Sequence, residues 1–127
     1  MKLKTLFTIY ALVGIIFGLG FLLVPDQVIS SFGEILGDSG RWVTRYLGAT
    51  YIGISVVVWS ARNASKGEAL KAMVLGFFVG NIICLIASVF DVMDAEGNAL
   101  DWLTVVVFLF FSVGFGYFQF VKPASSG

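Results

Sequence analysis

Several residue types are scarce or missing in this sequence of 127 residues. It contains no histidine, a single cysteine, Cys84, and two prolines, and only 13% of its residues are charged. Without histidine, the common His-based zinc, haem and catalytic-triad sites are excluded. One cysteine cannot form a disulfide framework. Eight bases balance eight acids, so the basic excess of a nucleic-acid-binding protein is also absent.

Apolar residues predominate in the composition instead. They make up 58% of the chain, and the mean hydropathy is +0.95. A membrane-spanning helix needs about 20 mostly apolar residues. Four stretches meet that length, at about Leu6–Val24, Trp42–Ala61, Leu70–Met93 and Leu100–Val121.

The first stretch is longer than the apolar region of a signal peptide and lacks a small-residue cleavage site, so we expect a retained helix. The sequence therefore predicts one all-α membrane domain over residues 1–127, with four transmembrane helices in an up-down-up-down bundle.

Basic residues in the predicted loops indicate the orientation. Six of the eight bases and one of the eight acids fall on the side of the two termini, which gives about +5 on that side and −5 on the other. Because Lys and Arg collect on the cytoplasmic side of membranes, both termini are predicted to be cytoplasmic.

The first outer loop predicts a short interfacial helix. Pro25 suits a first helical position, and the apolar residues that follow share one helical face. We expect this helix to run for about three turns, to end in a left-handed cap at Gly37, and to be followed by a helix capped by Asp38 or Ser39. It either anchors the loop in the interface or covers the mouth of the bundle. The predicted apolar face consists of Val28, Ile29, Phe32, Ile35 and Leu36.

Small residues spaced four apart occur in every predicted span, and such pairs let membrane helices approach closely. The pairs are Gly14 and Gly18, Ala49 and Gly53, Gly76 and Gly80, and Ser112 and Gly116. The fourth span also carries an aromatic stripe, which either packs against a neighbouring helix or lipid or lines an apolar ligand cleft. The stripe consists of Phe108, Phe111, Phe115 and Phe118.

Polar residues within the spans are the candidate functional residues, because they are costly in a membrane. Arg45 and Asp91 lie about one turn inside the second and third spans, and Arg41 precedes Arg45 by one turn. Helical spacing places Asn81, Cys84, Ser88 and Asp91 on one face, and Arg45, Gly48, Ile52 and Ser55 on another.

Two interpretations of these polar faces remain open. An Arg45–Asp91 pair with an Asn81 hydrogen bond would only lock two helices together. Alternatively, Arg41, Arg45, Asn81, Ser88 and Asp91 form a ligand site for an anionic or carbonyl head group, with aromatic walls around its tail. Cys84 is expected to be an inert thiol. We predict no catalytic residues and no metal ligands.

The pattern resembles a known group of proteins. A first span ending in Leu-Leu-Val-Pro at residues 22–25, an amphipathic segment, and Arg-Tyr-Leu-Gly-Ala-Thr-Tyr-Ile-Gly at residues 45–53 are similar to the DoxX-like families of small four-helix bacterial membrane proteins. Arg45, Gly48 and Ala49 form the most specific part. The resemblance implies a bacterial inner-membrane location and a role beside quinone-linked oxidoreductases.

From these observations we expect a non-catalytic accessory or scaffold subunit, or a homo-oligomer, that binds lipid, quinone or another apolar molecule between its helices. No cofactor is certain. The alternative is a small oligomeric transporter or channel. An enzyme is the least expected class, because no nucleophile and base stand at a suitable spacing.

Overall fold

The computed structural model describes residues 2–94 and 99–121, with the side chain of residue 94 left out. In this part of the chain all regular structure is helical: five α-helices and a final π-helical turn. Their bounds are α1 Leu3–Leu23, α2 Pro25–Ser31, α3 Asp38–Ala61, α4 Glu68–Asp94, α5 Ala99–Gly116 and the π-helical turn Tyr117–Val121. The predicted all-α class is confirmed. The bounds of each predicted span lie within about one turn of the ends of α1, α3, α4, and α5 with its π-helical turn.

Among the residues that the structure describes, three helices are long and apolar enough to cross a membrane: α1, α4 to Met93, and α5 with its π-helical extension. The second predicted span corresponds to α3, which is long enough but is not among them. Arg41, Arg45 and several hydroxyl side chains make α3 more polar than the other three. The four-span topology therefore stays a prediction.

The chain forms two compact units, one ending at Asn63 and one beginning at Ala64. The first consists mainly of α1 packed against α3, and the second of α4 packed against α5. Each unit is thus built around a helical hairpin. The prediction of one domain over residues 1–127 stays a prediction.

Glycine sets the close approach of α1 and α3 in the first unit. A Cβ on Gly48 would lie 2.6 Å from the carbonyl oxygen of Gly18, and a Cβ on Gly14 would collide with the hydroxyl of Ser55. Since Gly18 lies beside Gly48 and Gly14 beside Ser55, the two helices run antiparallel. Leu6 and Phe7 of α1 and Val58 of α3 are also buried.

Aromatic rings join α4 and α5 in the second unit. The rings of Phe77 and Phe115 are 5.4 Å apart, and those of Phe78 and Phe120 are 5.3 Å apart. Phe111, Phe115 and Phe118 are buried, so these three members of the predicted aromatic stripe lie inside the structure. The interpretation that the stripe packs against a neighbouring helix is confirmed for Phe115.

The small-residue pairs divide between packed and exposed positions. Gly14 and Gly18 are packed as predicted, Ser112 is buried, and Gly116 lies against Phe78. On α3, Ala49 and Gly53 are exposed, and Gly48 takes the position in contact with α1.

On α4, Gly76 and Gly80 are also exposed, and a Cβ on either would meet no atom within 4 Å. Neighbouring helical residues point about 100° apart, so the partner helix and not the spacing decides which small residue is covered.

Helix α2, which was predicted to be interfacial, is shorter than predicted. Pro25 occupies its first turn as expected, but α2 ends at Ser31, and Gly33 with φ 84° forms its left-handed cap. The amide of Glu34 donates to the carbonyl of Ile29 and that of Gly33 to Ser30, which is a Schellman motif.

The prediction of a cap at Gly37 was therefore wrong, as was a side-chain cap for the next helix. Gly37 is extended, with φ −81° and ψ 179°, and precedes α3 as its N-cap residue without a side-chain hydrogen bond. Ile35, predicted on the apolar face of α2, lies beyond the helix and is 96% exposed.

Candidate functional site

An ionic cluster ties the start of α2 to the start of α3. The Nε of Arg41 donates to both carboxylate oxygens of Asp26, at 3.2 and 3.0 Å, and its Nη1 donates to Asp38 at 3.0 Å. The hydrogen bonds to Asp26 and Asp38 raise the pKa of the Arg41 guanidinium. Arg41 therefore joins two helix starts, and its predicted role in ligand binding stays a prediction.

The remaining polar residues of α3 divide between the surface and the α1 contact. Arg45 is exposed, whereas Gly48 and Ser55, predicted to share its face, are buried. Thr44 is also buried, and its hydroxyl donates to the carbonyl of Gly40 at 2.7 Å. The buried face of α3 thus keeps Gly48 and Ser55 of the predicted one and has Thr44 in the place of Arg45.

The predicted polar face of α4 contains two buried residues. Asn81 is 3% exposed, and its Nδ2 donates to the carbonyl of Phe77 at 2.7 Å. The Ser88 hydroxyl donates to the carbonyl of Leu85 at 2.9 Å. Both side chains make hydrogen bonds within their own helix. Asp91 is exposed at the far end of α4.

The five predicted site residues lie in different units. Arg41 and Arg45 belong to the first unit, and Asn81, Ser88 and Asp91 to the second. The ligand site and the Arg45–Asp91 pair therefore stay predictions.

Ser112 is a buried polar residue that the sequence analysis treated only as small. It is 3% exposed, and within the described residues its hydroxyl has no hydrogen-bond partner. Because Phe77 packs against Phe115 in an antiparallel hairpin, Asn81 and Ser112 lie at the same level of α4 and α5. That Asn81 and Ser112 lie at the same level could have been predicted from the sequence. Whether the Ser112 hydroxyl is paired depends on the rotamer of its side chain, which the sequence does not give.

A groove lies between α1 and α3 in the first unit. Its volume is about 300 Å³, and it is mostly apolar. Sequence reasoning missed it, because its walls come from two helices whose relative rotation is a matter of packing. The lining residues are Ala11, Leu12, Ile15, Ser55, Val56, Trp59 and Ser60.

A positive charge borders this groove. The guanidinium of Arg62 stacks 3.9 Å from the ring centroid of Trp59, and its Nη1 donates to the carbonyl of Trp59 at 2.6 Å. Stacking on an aromatic face holds an arginine in place and leaves its other N–H groups free to donate. The groove thus combines an apolar wall with a positioned cation.

Metal chemistry finds no support in the described residues. They contain no group of three or more His, Cys, Asp or Glu side chains that could hold a metal ion. Cys84 is half-buried in the middle of α4 and is a free thiol.

The comparison with protein families gives one result, a match over residues 8–123 to a domain of unknown function, DUF8292. The chain belongs to this family. The match covers the five helices apart from the first five residues of α1. The chain matches no curated protein and no solved structure. The family description assigns no activity, so chemistry has to be argued from the residues.

Proposed function

We propose that this chain is a small integral membrane protein that acts as a non-catalytic accessory or scaffold subunit, or as a homo-oligomer. In this proposal it binds lipid, quinone or another apolar molecule between its helices. The observation that carries the proposal is the large exposed apolar surface of the four long helices.

Exposed large apolar side chains occur on every long helix, whereas soluble monomers rarely expose large contiguous apolar patches. Such side chains would be costly to hydrate at about 25 cal/mol per Å² of apolar area. In a bilayer the same side chains contact acyl chains. Examples on α1, α3, α4 and α5 are Ile16, Val56, Ile83 and Val113.

The contact with α1 supports α3 as a fourth span. Helix α1 has 21 residues and is about 31 Å long, close to the hydrocarbon thickness of a bilayer. Helix α3 has 24 residues and runs antiparallel to α1 in close contact. If α1 crosses the membrane, α3 must cross it as well. The ion pairs of Arg41 reduce the cost of a base at that end of α3.

The proposed orientation has both termini in the cytoplasm. Lys2, Lys4 and Arg62 lie at one end of the first unit, and Arg41 and Arg45 lie at the other, together with Asp26 and Asp38. The larger number of bases at the end that holds the N-terminus agrees with the positive-inside rule. Labelling single cysteines at Ser65 and Glu34 in a Cys84→Ala background tests it. Impermeant reagent added to intact cells should label position 34 and not position 65, and the reverse pattern contradicts the orientation.

The resemblance to the DoxX-like families supports, by analogy only, a bacterial inner-membrane location and a place beside a quinone-linked oxidoreductase. Fold-level likeness does not identify a partner, so the partner has to be captured experimentally.

Native mass spectrometry of the protein purified in mild detergent tests the proposed role. Retention in the membrane pellet after alkaline carbonate washing is the expected first result. A defined partner or a retained apolar molecule then supports the proposal. A partner-free ring that conducts ions in planar bilayers contradicts it and favours the transporter or channel. Recovery in the carbonate supernatant refutes membrane integration itself.

A further inference from the structure

The groove between α1 and α3 lies directly beside a held positive charge. Its wall includes Trp59, and the guanidinium of Arg62 stacks on that ring at 3.9 Å. From Trp59 the groove extends away from Arg62 toward Ile15, on a face formed by apolar side chains of both helices. A cation at one end of an apolar groove matches a molecule with an anionic head and a hydrocarbon tail.

More positive charge lies at the same end of the unit. Gly14 lies beside Ser55, so the antiparallel register places Lys4, ten residues before Gly14, at the same end of the unit as Arg62 and about one turn beyond it. Lys4 and Lys2 are exposed. The acids of this unit, Asp26, Glu34 and Asp38, are all near the opposite ends of α1 and α3. The charge at the Arg62 end is therefore entirely positive within the first unit.

We propose that this groove binds an anionic phospholipid, with one acyl chain along the groove and the phosphate held by Arg62 and Lys4. The planar guanidinium offers several N–H donors that suit phosphate oxygens, and the lysine adds a point charge. A quinone would fill the apolar groove equally well, but its neutral carbonyl groups do not need several positive charges nearby. The cluster of positive charges therefore favours the anionic head group of a phospholipid.

The inference rests on the proposed function, because a lipid reaches this groove only if α1 and α3 lie in a bilayer. It deepens that proposal by naming the chemical class of the apolar ligand and its site. At a cytoplasmic membrane surface, anionic lipids are attracted to basic clusters of this kind.

The test titrates the full-length detergent-purified chain with phosphatidylglycerol or phosphatidylcholine of identical acyl chains and counts bound lipids by native mass spectrometry. We expect one phosphatidylglycerol per chain to be retained at collision energies that remove phosphatidylcholine. Arg62→Gln should weaken that binding about tenfold, the factor expected for losing one charged hydrogen bond. Lys71→Gln, an exposed base of the second unit, is the charge-matched control and should leave binding unchanged.

A second pair of variants tests the groove independently of charge. Val56→Trp fills the groove, whereas Val57→Trp adds the same ring beside it, since Val56 lines the groove and Val57 does not. The two valines are 56% and 54% exposed, so the substitutions are matched in burial. Loss of the retained lipid in the Val56 variant alone is the expected result.

Equal retention of the two lipids, or equal binding by Arg62→Gln and Lys71→Gln, overturns the anionic site. Equal binding by the two tryptophan variants overturns the groove. Either result leaves the proposal of membrane integration intact, because only recovery in the carbonate supernatant refutes membrane integration.

Discussion

Gly48 provides the sharpest test of how α1 and α3 pack. A Cβ at this position would lie 2.6 Å from the carbonyl oxygen of Gly18, 2.8 Å from the amide nitrogen of Leu22 and 3.0 Å from the Cβ of Phe21. Two of these atoms belong to the backbone and cannot rotate away. Gly48→Ala therefore requires the two helices to separate. Gly53→Ala is the matched control, because a Cβ there meets no atom within 4 Å.

The cost follows from the distances. Restoring an ordinary contact of about 3.4 Å or more at the Gly18 oxygen moves the helices apart by roughly 0.5–1 Å. Such a gap forfeits about a quarter to a half of the dispersion energy of the affected contacts, and overpacking typically costs about 1–3 kcal/mol. Alanine is favoured over glycine in a helix by about 1 kcal/mol, but both variants gain this equally. The Gly48 variant should therefore be about 1–3 kcal/mol less stable than the Gly53 variant.

Unfolding of the full chain in mixed micelles, with SDS as the denaturant and far-ultraviolet circular dichroism as the signal, measures this difference. The expected order of stability places Gly53→Ala at or above the unsubstituted protein and Gly48→Ala below both. If the free energies of unfolding of the two variants agree within about 0.5 kcal/mol, close backbone contact is refuted as the basis of the α1–α3 pairing.

Three further predictions use the same assay. Asp26→Asn should lower the unfolding midpoint more than Asp38→Asn, because Asp26 accepts both Nε hydrogen bonds of Arg41 and the Asp38 side chain is fully exposed. The difference between the two midpoints should become smaller as the salt concentration rises, and a difference that does not depend on salt would argue against an ionic contribution. Gly33→Ala should cost about 1–2 kcal/mol, because its φ of 84° is unfavourable for alanine, whereas Gly37→Ala should change stability little; equal effects would contradict the cap at Gly33. Ser112→Ala should leave the stability unchanged or raise it by up to about 1 kcal/mol, because it removes a buried hydroxyl that has no partner among the described residues. Ser88→Ala removes a hydrogen bond and should lower the stability. The opposite order of stability would show that the Ser112 hydroxyl is paired.

Much of the local structure could be predicted from residue type and spacing. Pro25 cannot continue α1, because it lacks an amide hydrogen and clashes with the preceding turn, so the break between α1 and α2 was predictable. Long apolar runs bounded by charged residues located the long helices. These features depend on a few neighbouring residues, which is why one sequence is enough to find them.

The choice between two glycines in one loop was less accessible. Gly33 and Gly37 are both compatible with a cap, and the amphipathic pattern continued to Leu36, so the sequence favoured the later glycine. The structure ends α2 at the earlier one, where the amides of Gly33 and Glu34 reach carbonyls of the last turn. Two local solutions of similar free energy are separated only by the way the loop returns to α3.

For the candidate site, the sequence identified polar residues in apolar surroundings but not their partners. Asn81 and Ser88 were placed on one polar face and are both buried, whereas the pairing of Arg41 with Asp26 joins residues 15 positions apart and was not anticipated. The apolar groove beside Trp59 was also invisible, because no single segment contains it.

The scarcity of charge and the absence of histidine, together with four long apolar runs, were sufficient by themselves to determine an all-helical chain suited to a membrane. These are properties of composition and of the backbone's need to satisfy its own hydrogen bonds in lipid. Only the tertiary structure decided that Gly48, and not its neighbour Ala49, faces α1, and that Trp59, with Arg62 stacked on it, lines a groove. Rotation about a helix axis changes no local hydrogen bond, so it is set by the surface of the helix packed against it.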